Sequence, residues 1–252
     1  MLSTTAALEL TDVSKVYRSG PLGLGRLRAL DRASLRVGAG ESVGLAGPNR
    51  AGKTTLLKLA LSLSRPTAGR VARLGRPASD RATLGGVGYV HESPAFPRYL
   101  TAPALLDQYA AMSGMAAGPR RRKAAELIER VGLGDRRRDP IGRFSKGMLR
   151  RLGLAQALMN DPDLLVLDEP HEGLDLPGRD LAVDLVAEHR RRGGATLIVS
   201  HLLADLDRLC DRVAVVVAGR VVADSPIAEL ASGPGGLEAA LRSLYRHEGM
   251  AS

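Results

Sequence analysis

The 252-residue chain predicts an α/β fold in which a parallel sheet carries a phosphate loop. Three stretches predict it. Residues 47–55, GPNRAGKTT, place glycine, four residues and then Gly52-Lys53-Thr54 between a short apolar run, residues 41–46, and apolar residues at helical spacing, residues 55–61. Residues 163–169, DLLVLDE, form a near-continuous apolar run closed by two carboxylates, as a strand buried on both faces requires. Residues 195–199 are a second such run, and it ends in Ser200-His201.

The length can bury a sizeable core, either as one large domain or as a domain with a small lobe. No apolar run approaches the roughly 20 residues that span a bilayer, and the opening MLSTTAALEL lacks the basic start and sustained apolar segment of a secretion signal. These features predict a cytoplasmic protein. A single cysteine, Cys210, excludes an internal disulfide framework and a cysteine-cluster metal site. The net charge of +9 raises a nucleic-acid reading, but aromatics are only 3% of the chain, too few for a base-stacking platform. Only five of the 36 basic residues are lysine, an arginine bias that coding composition alone can produce. A solvated basic surface, facing an acidic membrane, accounts for the charge without nucleic acid.

Residues 8–16 alternate loosely and read as a strand reaching Tyr17, followed by a glycine-rich loop, residues 19–25. Tyr17 either stacks on an adenine at the strand end or packs in the core. Residues 30–37 give a second strand, and Gly38-Ala39-Gly40 turns the chain into the strand before the phosphate loop. That loop needs its glycines because successive backbone N–H groups at a helix N-terminus can hold a triphosphate where no bulky side chain intervenes. Lys53 would reach the β- and γ-phosphates and the Thr54 hydroxyl would ligate Mg²⁺. Arg50 stands where a left-handed backbone would cost a non-glycine residue about 1–2 kcal/mol. Either the loop is reshaped there or the strain is tolerated.

After the first helix, residues 65–69 form a turn, residues 70–74 a short strand and residues 86–90 a buried one. At the end of the last lies a proline-broken loop, residues 91–97, bearing His91 and Glu92. Residues 102–131 are helical in pattern with a break near Gly118-Pro119, and no strand signal returns before Asp163. This predicts a helical lobe, about residues 93–160, inserted into the sheet domain. The lobe ends in residues 143–148, RFSKGM, before a helix over residues 149–159. Ser145 and Gly147 at its N-terminus either hold an anion or simply cap the helix.

Asp168 and Glu169 follow their strand at its carboxyl end, where open α/β sheets bind ligands. Asp168 would hold Mg²⁺ through water, and Glu169 can polarise a water for attack on the γ-phosphate. Gly173-Leu174-Asp175 is a turn before a helix over residues 179–192, and His201 at the next strand end can hydrogen-bond a γ-phosphate. Residues 213–218 and 221–223 pair as a hairpin through Gly219-Arg220, and residues 236–252 form a tail with one weak helix.

Taken jointly, the phosphate loop, FSKGM followed by LRRLGLAQAL, LLVLDEP, EGLD and IVSH resemble, in order and spacing, the nucleotide-binding subunit of ATP-binding cassette transporters. The likeness covers about residues 8–230. It implies a RecA-like core, an N-terminal antiparallel β part and a helical subdomain, with residues 1–235 as the nucleotide-binding domain. It implies catalytic roles for Glu169, His201 and Lys53, and Mg²⁺ ligation by Thr54, Glu92 and Asp168. ATP would be held by Tyr17, by Gly47, Pro48, Asn49, Arg50, Ala51, Gly52, Lys53, Thr54 and Thr55, and by the signature residues Ser145 and Gly147. Asp175 would be the D-loop aspartate, Glu92 the residue at the Q-loop position and His201 the switch histidine.

Four departures accompany the likeness: Arg50 for a glycine, Glu92 for a glutamine, Lys146 and Met148 in the signature, and His171 for a frequent threonine. The SKGM form and the acidic Q-loop resemble the branch whose members pair with separate membrane subunits for export. The resemblance implies an ATP-hydrolysing subunit that dimerises around ATP, as a homodimer or heterodimer, and drives a membrane-spanning permease from the inner face of the cell membrane. Two other readings are a soluble cassette ATPase acting on ribosomes or DNA and a regulatory half-site that binds ATP with weak hydrolysis. The first of these needs two cassettes or a long coiled-coil insertion, for which the chain has no room, and no nucleic-acid partner is expected.

Overall fold

In the computed structural model, residues 6–19 and 25–249 are described; most of the glycine-rich loop predicted after Tyr17 lies outside them. Strands β1 (Leu8–Ser19), β2 (Gly25–Val37) and β3 (Ser42–Ala46) lead to helix α1 (Lys53–Ala60), then β4 (Ala68–Arg73), β5 (Arg76–Pro77) and β6 (Val87–Val90). Helices α2 (Ala102–Met112), α3 (Ala117–Arg130) and α4 (Lys146–Ala157) follow without an intervening strand. The chain then alternates through β7 (Leu164–Asp168), α5 (Leu176–Arg191), β8 (Ala195–Val199), α6 (Leu203–Leu209), β9 (Arg212–Val217) and β10 (Arg220–Pro226), and closes with α7 (Ile227–Leu230) and α8 (Gly236–Gly249).

Two sheets result. The smaller is antiparallel in the order β2-β1-β4-β5, and the larger runs β10-β9-β3-β8-β7-β6, with β10 antiparallel on an otherwise parallel sheet. The apolar runs follow from burial on both faces. Leu164 and Val166 of β7 pack toward the small sheet and α1, whereas Leu165 and Leu167 pack against the helices of the lobe and α5. Likewise Ala214 and Val216 of β9 join the first cluster, and Val213, Val215 and Val217 meet α6, α7 and α8.

Several boundaries differ from the sequence reading. The helical stretch breaks at Ser113 and Gly114, not at Gly118-Pro119. Gly114 takes φ +83, which ends α2, while Pro119 sits in the first turn of α3, where a helix has no use for its N–H. The hairpin turns on Ala218-Gly219, both at positive φ, and Arg220 already pairs with Val217. Helix α4 starts at Lys146 because the Ser145 side chain accepts the Met148 N–H, and α5 starts at Leu176 because Asp175 accepts the Gly178 N–H. The weak helix expected in the tail is α8, which buries Leu237 and Leu241 against the β9 side of the sheet. Its Tyr245 lies beside Gly47 of the phosphate loop.

Candidate functional site

Because β3, β6, β7 and β8 are parallel and paired in register, with Val90 opposite Leu167, Asp168 opposite Val199 and Leu45 opposite Val199, their carboxyl ends lie in one row. That row carries the phosphate loop after β3, Glu92 after β6, Asp168 and Glu169 at β7, and Ser200-His201 after β8. The loop folds on itself through Ala51 N–H to the Pro48 carbonyl, 3.2 Å, and passes into α1 through Leu56 N–H to the Gly52 carbonyl, 3.0 Å. Gly52 adopts φ +115, and a Cβ there would stand 2.7 Å from the Ala29 carbonyl oxygen, so neither its conformation nor its space admits a side chain. Arg50 does take the left-handed conformation, at φ +67, with an exposed side chain that makes no ion pair among the described residues. The strain is therefore tolerated rather than relieved by reshaping.

A cleft of about 670 Å³ opens over the loop, lined by Tyr17, residues 49–55, Glu92, Asp168, Glu169 and His201. Lys53 points back across its loop, donating from Nζ to the carbonyls of Gly47 at 2.6 Å and Pro48 at 3.0 Å. Burial lowers its pKa, and the Glu169 and Asp168 carboxylates work against that shift. Tyr17 is half-buried in the cleft wall, with the Lys15 ammonium 4.9 Å from its ring centroid and its own hydroxyl buried without a partner among the described residues.

Burial first, and then the Glu92 and Glu169 carboxylates, push Asp168 up to about 6. Such crowding of carboxylates is what a divalent cation relieves, and the Thr54 hydroxyl adds a further hard oxygen donor, so the donor set suits Mg²⁺. Among the described residues no group of three or more His, Cys, Asp or Glu side chains could hold an ion. A metal bound here would take the rest of its coordination from phosphate and water.

Glu169 sits at φ +50, its N–H bound to the Val199 carbonyl at 2.8 Å. Its carboxylate accepts from the His201 N–H at 3.0 Å and from the Ser200 hydroxyl at 3.2 Å, and lies 2.9 Å from His201 Nδ1. That last contact raises the His201 pKa.

Sequence reasoning passed over Arg150. It is 1% exposed and donates to the carbonyls of His91 at 2.5 Å, Glu169 at 2.8 Å and Glu172 at 3.2 Å, thereby tying α4 to the strand ends of β6 and β7. Arg150 shares a helical face with the buried Leu154 and Ala157, at four- and seven-residue spacing, but Arg151 stands in the same relation to Ala155 and Leu158, so the spacing does not separate the two.

Ser145, Gly147 and Asp175 do not join the cleft. Ser145 is exposed at the start of α4, and that corner is packed against the turn before α5: Lys146 Nζ lies 2.5 Å from Glu172 Oε1, and a Cβ on Gly147 would meet the Gly173 carbonyl oxygen at 3.1 Å.

A phosphate loop with an acid pair and a histidine at the ends of neighbouring parallel strands defines a P-loop nucleoside triphosphatase. The chain belongs to the ABC transporter family, whose pattern matches residues 30–172, and it is an ATP-binding subunit with ATPase activity. It is 40% identical to an uncharacterised ABC transporter ATP-binding protein of Nostoc sp. over 230 residues, 90% of this chain and 69% of that protein. It is 37% identical over 223 residues to the Nod factor export ATP-binding protein I of Burkholderia orbicola, 88% of this chain and 71% of that protein. A solved ATP-binding subunit of an ABC transporter superposes with TM-score 0.85 at 26% identity, covering 95% of this chain and 99% of that one. A dimeric post-hydrolysis cassette bound to ADP and Pi superposes at 0.78 with 23% identity over 87% and 98%, a likeness of fold. The RecA-like core with its antiparallel β part is thus established.

Proposed function

We propose that the cleft hydrolyses ATP with Glu169 as the base, in an export-type transporter whose two nucleotide-binding subunits close on each other. The carrying observation is a division of the machinery. Lys53, Glu92, Asp168, Glu169 and His201 converge in one cleft, whereas Ser145 and Gly147 stand outside it, with Ser145 exposed at a helix N-terminus. A helix N-terminus offers unpaired N–H groups to anions, so a second subunit facing the cleft would complete it with its own Ser145 and Gly147, and Asp175 would lie at the contact.

Within the cleft the residues divide the work. Lys53, released from the Gly47 and Pro48 carbonyls, neutralises the β- and γ-phosphates, and the loop N–H groups hold them. Tyr17 offers its ring to the adenine. Thr54, Glu92 and Asp168 would hold Mg²⁺, which when bound offsets phosphate charge. Glu169 orients and deprotonates the attacking water, and His201 turns from Glu169 to the γ-phosphate.

The printed export role of the Burkholderia orbicola relative, together with SKGM and Glu92, supports export through a separate membrane-spanning permease. Among the described residues no helix is long and apolar enough to cross a membrane, so attachment to the inner face of the membrane would come through that partner. The test is Glu169→Gln with ATP, alone and with the membrane subunit. Light scattering should show a stable dimer that the wild type loses on turnover; a monomer under both conditions overturns the closed pair.

A further inference from the structure

We propose that His171 and Asp205 form a positioning pair for the Glu169 carboxylate, acting through the hydroxyl of Ser200. The three are among the few buried polar residues of the described chain, at 1%, 3% and 2% exposure, and they come from three elements: the turn after β7, α6, and the end of β8. His171 Nδ1 lies 2.6 Å from Asp205 Oδ1, and Ser200 Oγ lies 3.0 Å from Asp205 Oδ2 and 3.2 Å from Glu169 Oε2. The chain is continuous from the imidazole to the catalytic carboxylate.

The stoichiometry of protons gives this chain its direction. A serine hydroxyl has one proton and two lone pairs. One lone pair of Ser200 is taken by the Leu202 N–H at 3.1 Å, and the single proton faces two carboxylates. It can serve only one of them. The imidazole N–H already satisfies Asp205 on its other oxygen through a short, charge-assisted bond, which weakens the pull of Asp205 on the serine proton. The proton is left to Glu169. Without His171, Asp205 is a buried carboxylate with the serine as its nearest donor; it takes the proton, and Glu169 Oε2 then faces an oxygen lone pair and keeps only its His201 contacts, the N–H at 3.2 Å and Nδ1 at 2.9 Å.

A second observation shows that His171 is kept at a cost. Its Nε2 is buried and has no hydrogen-bond partner among the described residues, a state that native structures rarely retain without a use. The backbone around it is also held: the Glu172 N–H bonds the Glu169 carbonyl at 3.1 Å, and the Leu174 N–H bonds the His171 carbonyl at 3.2 Å. Arg150 fixes the Glu169 carbonyl from one side. The His171–Asp205–Ser200 chain fixes its carboxylate from the other.

The proposal rests on Glu169 being the base, so Glu169→Gln is the reference variant. Steady-state phosphate release is measured on the full protein for Ser200→Ala, His171→Gln, Asp205→Asn and the double variant His171→Gln/Ser200→Ala. Ser200→Ala and His171→Gln should each lower kcat about tenfold or more, as expected for one lost hydrogen bond to a charged group. KM for ATP should stay within about twofold, since only the orientation of the base changes. The double variant should be no slower than Ser200→Ala alone, because the imidazole acts only through that hydroxyl. Wild-type kcat in Ser200→Ala, or losses that multiply in the double variant, overturns the pair while leaving Glu169 as the base. Normal turnover in Glu169→Gln overturns the base itself and the pair with it. Ser200→Ala removes a single atom, so it carries the test should the histidine variant fail to fold.

Discussion

Nδ1 of His201 lies 2.9 Å from the carboxylate of Glu169, so the two groups proposed to act at the γ-phosphate are bonded to each other. His201→Gln should keep ATP affinity within a fewfold and lower kcat by about 10²–10³, the loss typical of one well-placed transition-state donor. Nucleotide titration and phosphate release on the same preparation check it. Loss of binding at unchanged kcat would assign His201 to substrate capture alone.

Arg50 holds a left-handed backbone at φ +67 with its side chain exposed. Arg50→Gly should raise stability by about 0.5–1 kcal/mol, the released strain less the extra entropy of glycine in the unfolded chain. Urea unfolding measures this. A lower midpoint would mean that the side chain contributes more than its exposure suggests.

Glu92 is one of the two carboxylates whose charge raises the Asp168 pKa. In Glu92→Gln, ATP affinity should depend less steeply on Mg²⁺ than in the wild type, since a formal charge beside the cation has gone. Affinities across a Mg²⁺ titration decide the point, and parallel curves would remove Glu92 from the metal.

Arg150→Met should cost about 3 kcal/mol, because it removes a buried cation that holds three carbonyls on two segments, that of His91 after β6 and those of Glu169 and Glu172 after β7. Arg151→Met, next in sequence, should cost about 1 kcal/mol, since Arg151 only reaches the Val131 and Gly132 carbonyls at 3.2 Å near the end of α3. Denaturation midpoints of the two variants test the contrast.

His189 is buried, with Nε2 3.0 Å from the Ala195 carbonyl oxygen, and burial lowers its pKa. The unfolded chain takes up that proton near about pH 6.5, while the folded chain resists it to lower pH. Stability from His189 is therefore present above about pH 6.5 and lost as pH falls below it. The melting midpoint should drop between about pH 7.5 and about pH 5.5, and less so in His189→Gln. His201, whose pKa is raised, acts in the opposite direction, but it is largely exposed and contributes little.

What the chain discloses before folding divides along physical lines. Strands buried on both faces announce themselves as apolar runs, which is why β3, β7 and β8 and the polar residues at their ends could be read directly. Arg150 and Arg151 look alike as letters; only the phase set by the Ser145 cap turns one of them inward. His171 and Asp205 are 34 residues apart, and no spacing rule joins a turn to a helix three elements later. Pro119 misled because a proline in a first helical turn costs nothing, whereas the glycine that ends α2 lies five residues earlier. Helix α8 carries its apolar stripe plainly, but the surface that receives it belongs to β9.

The contact between Tyr245 and Gly47 makes α8 and the mouth of the phosphate loop thermodynamic partners. Coupling of this kind is reciprocal. If nucleotide reshapes the loop at Gly47 and weakens the contact, release of α8 must favour nucleotide by the same factor; if it tightens the contact, docking of α8 must do so. Whatever grips or frees the far end of the chain is then entered in the binding constant for ATP, without ever approaching the cleft.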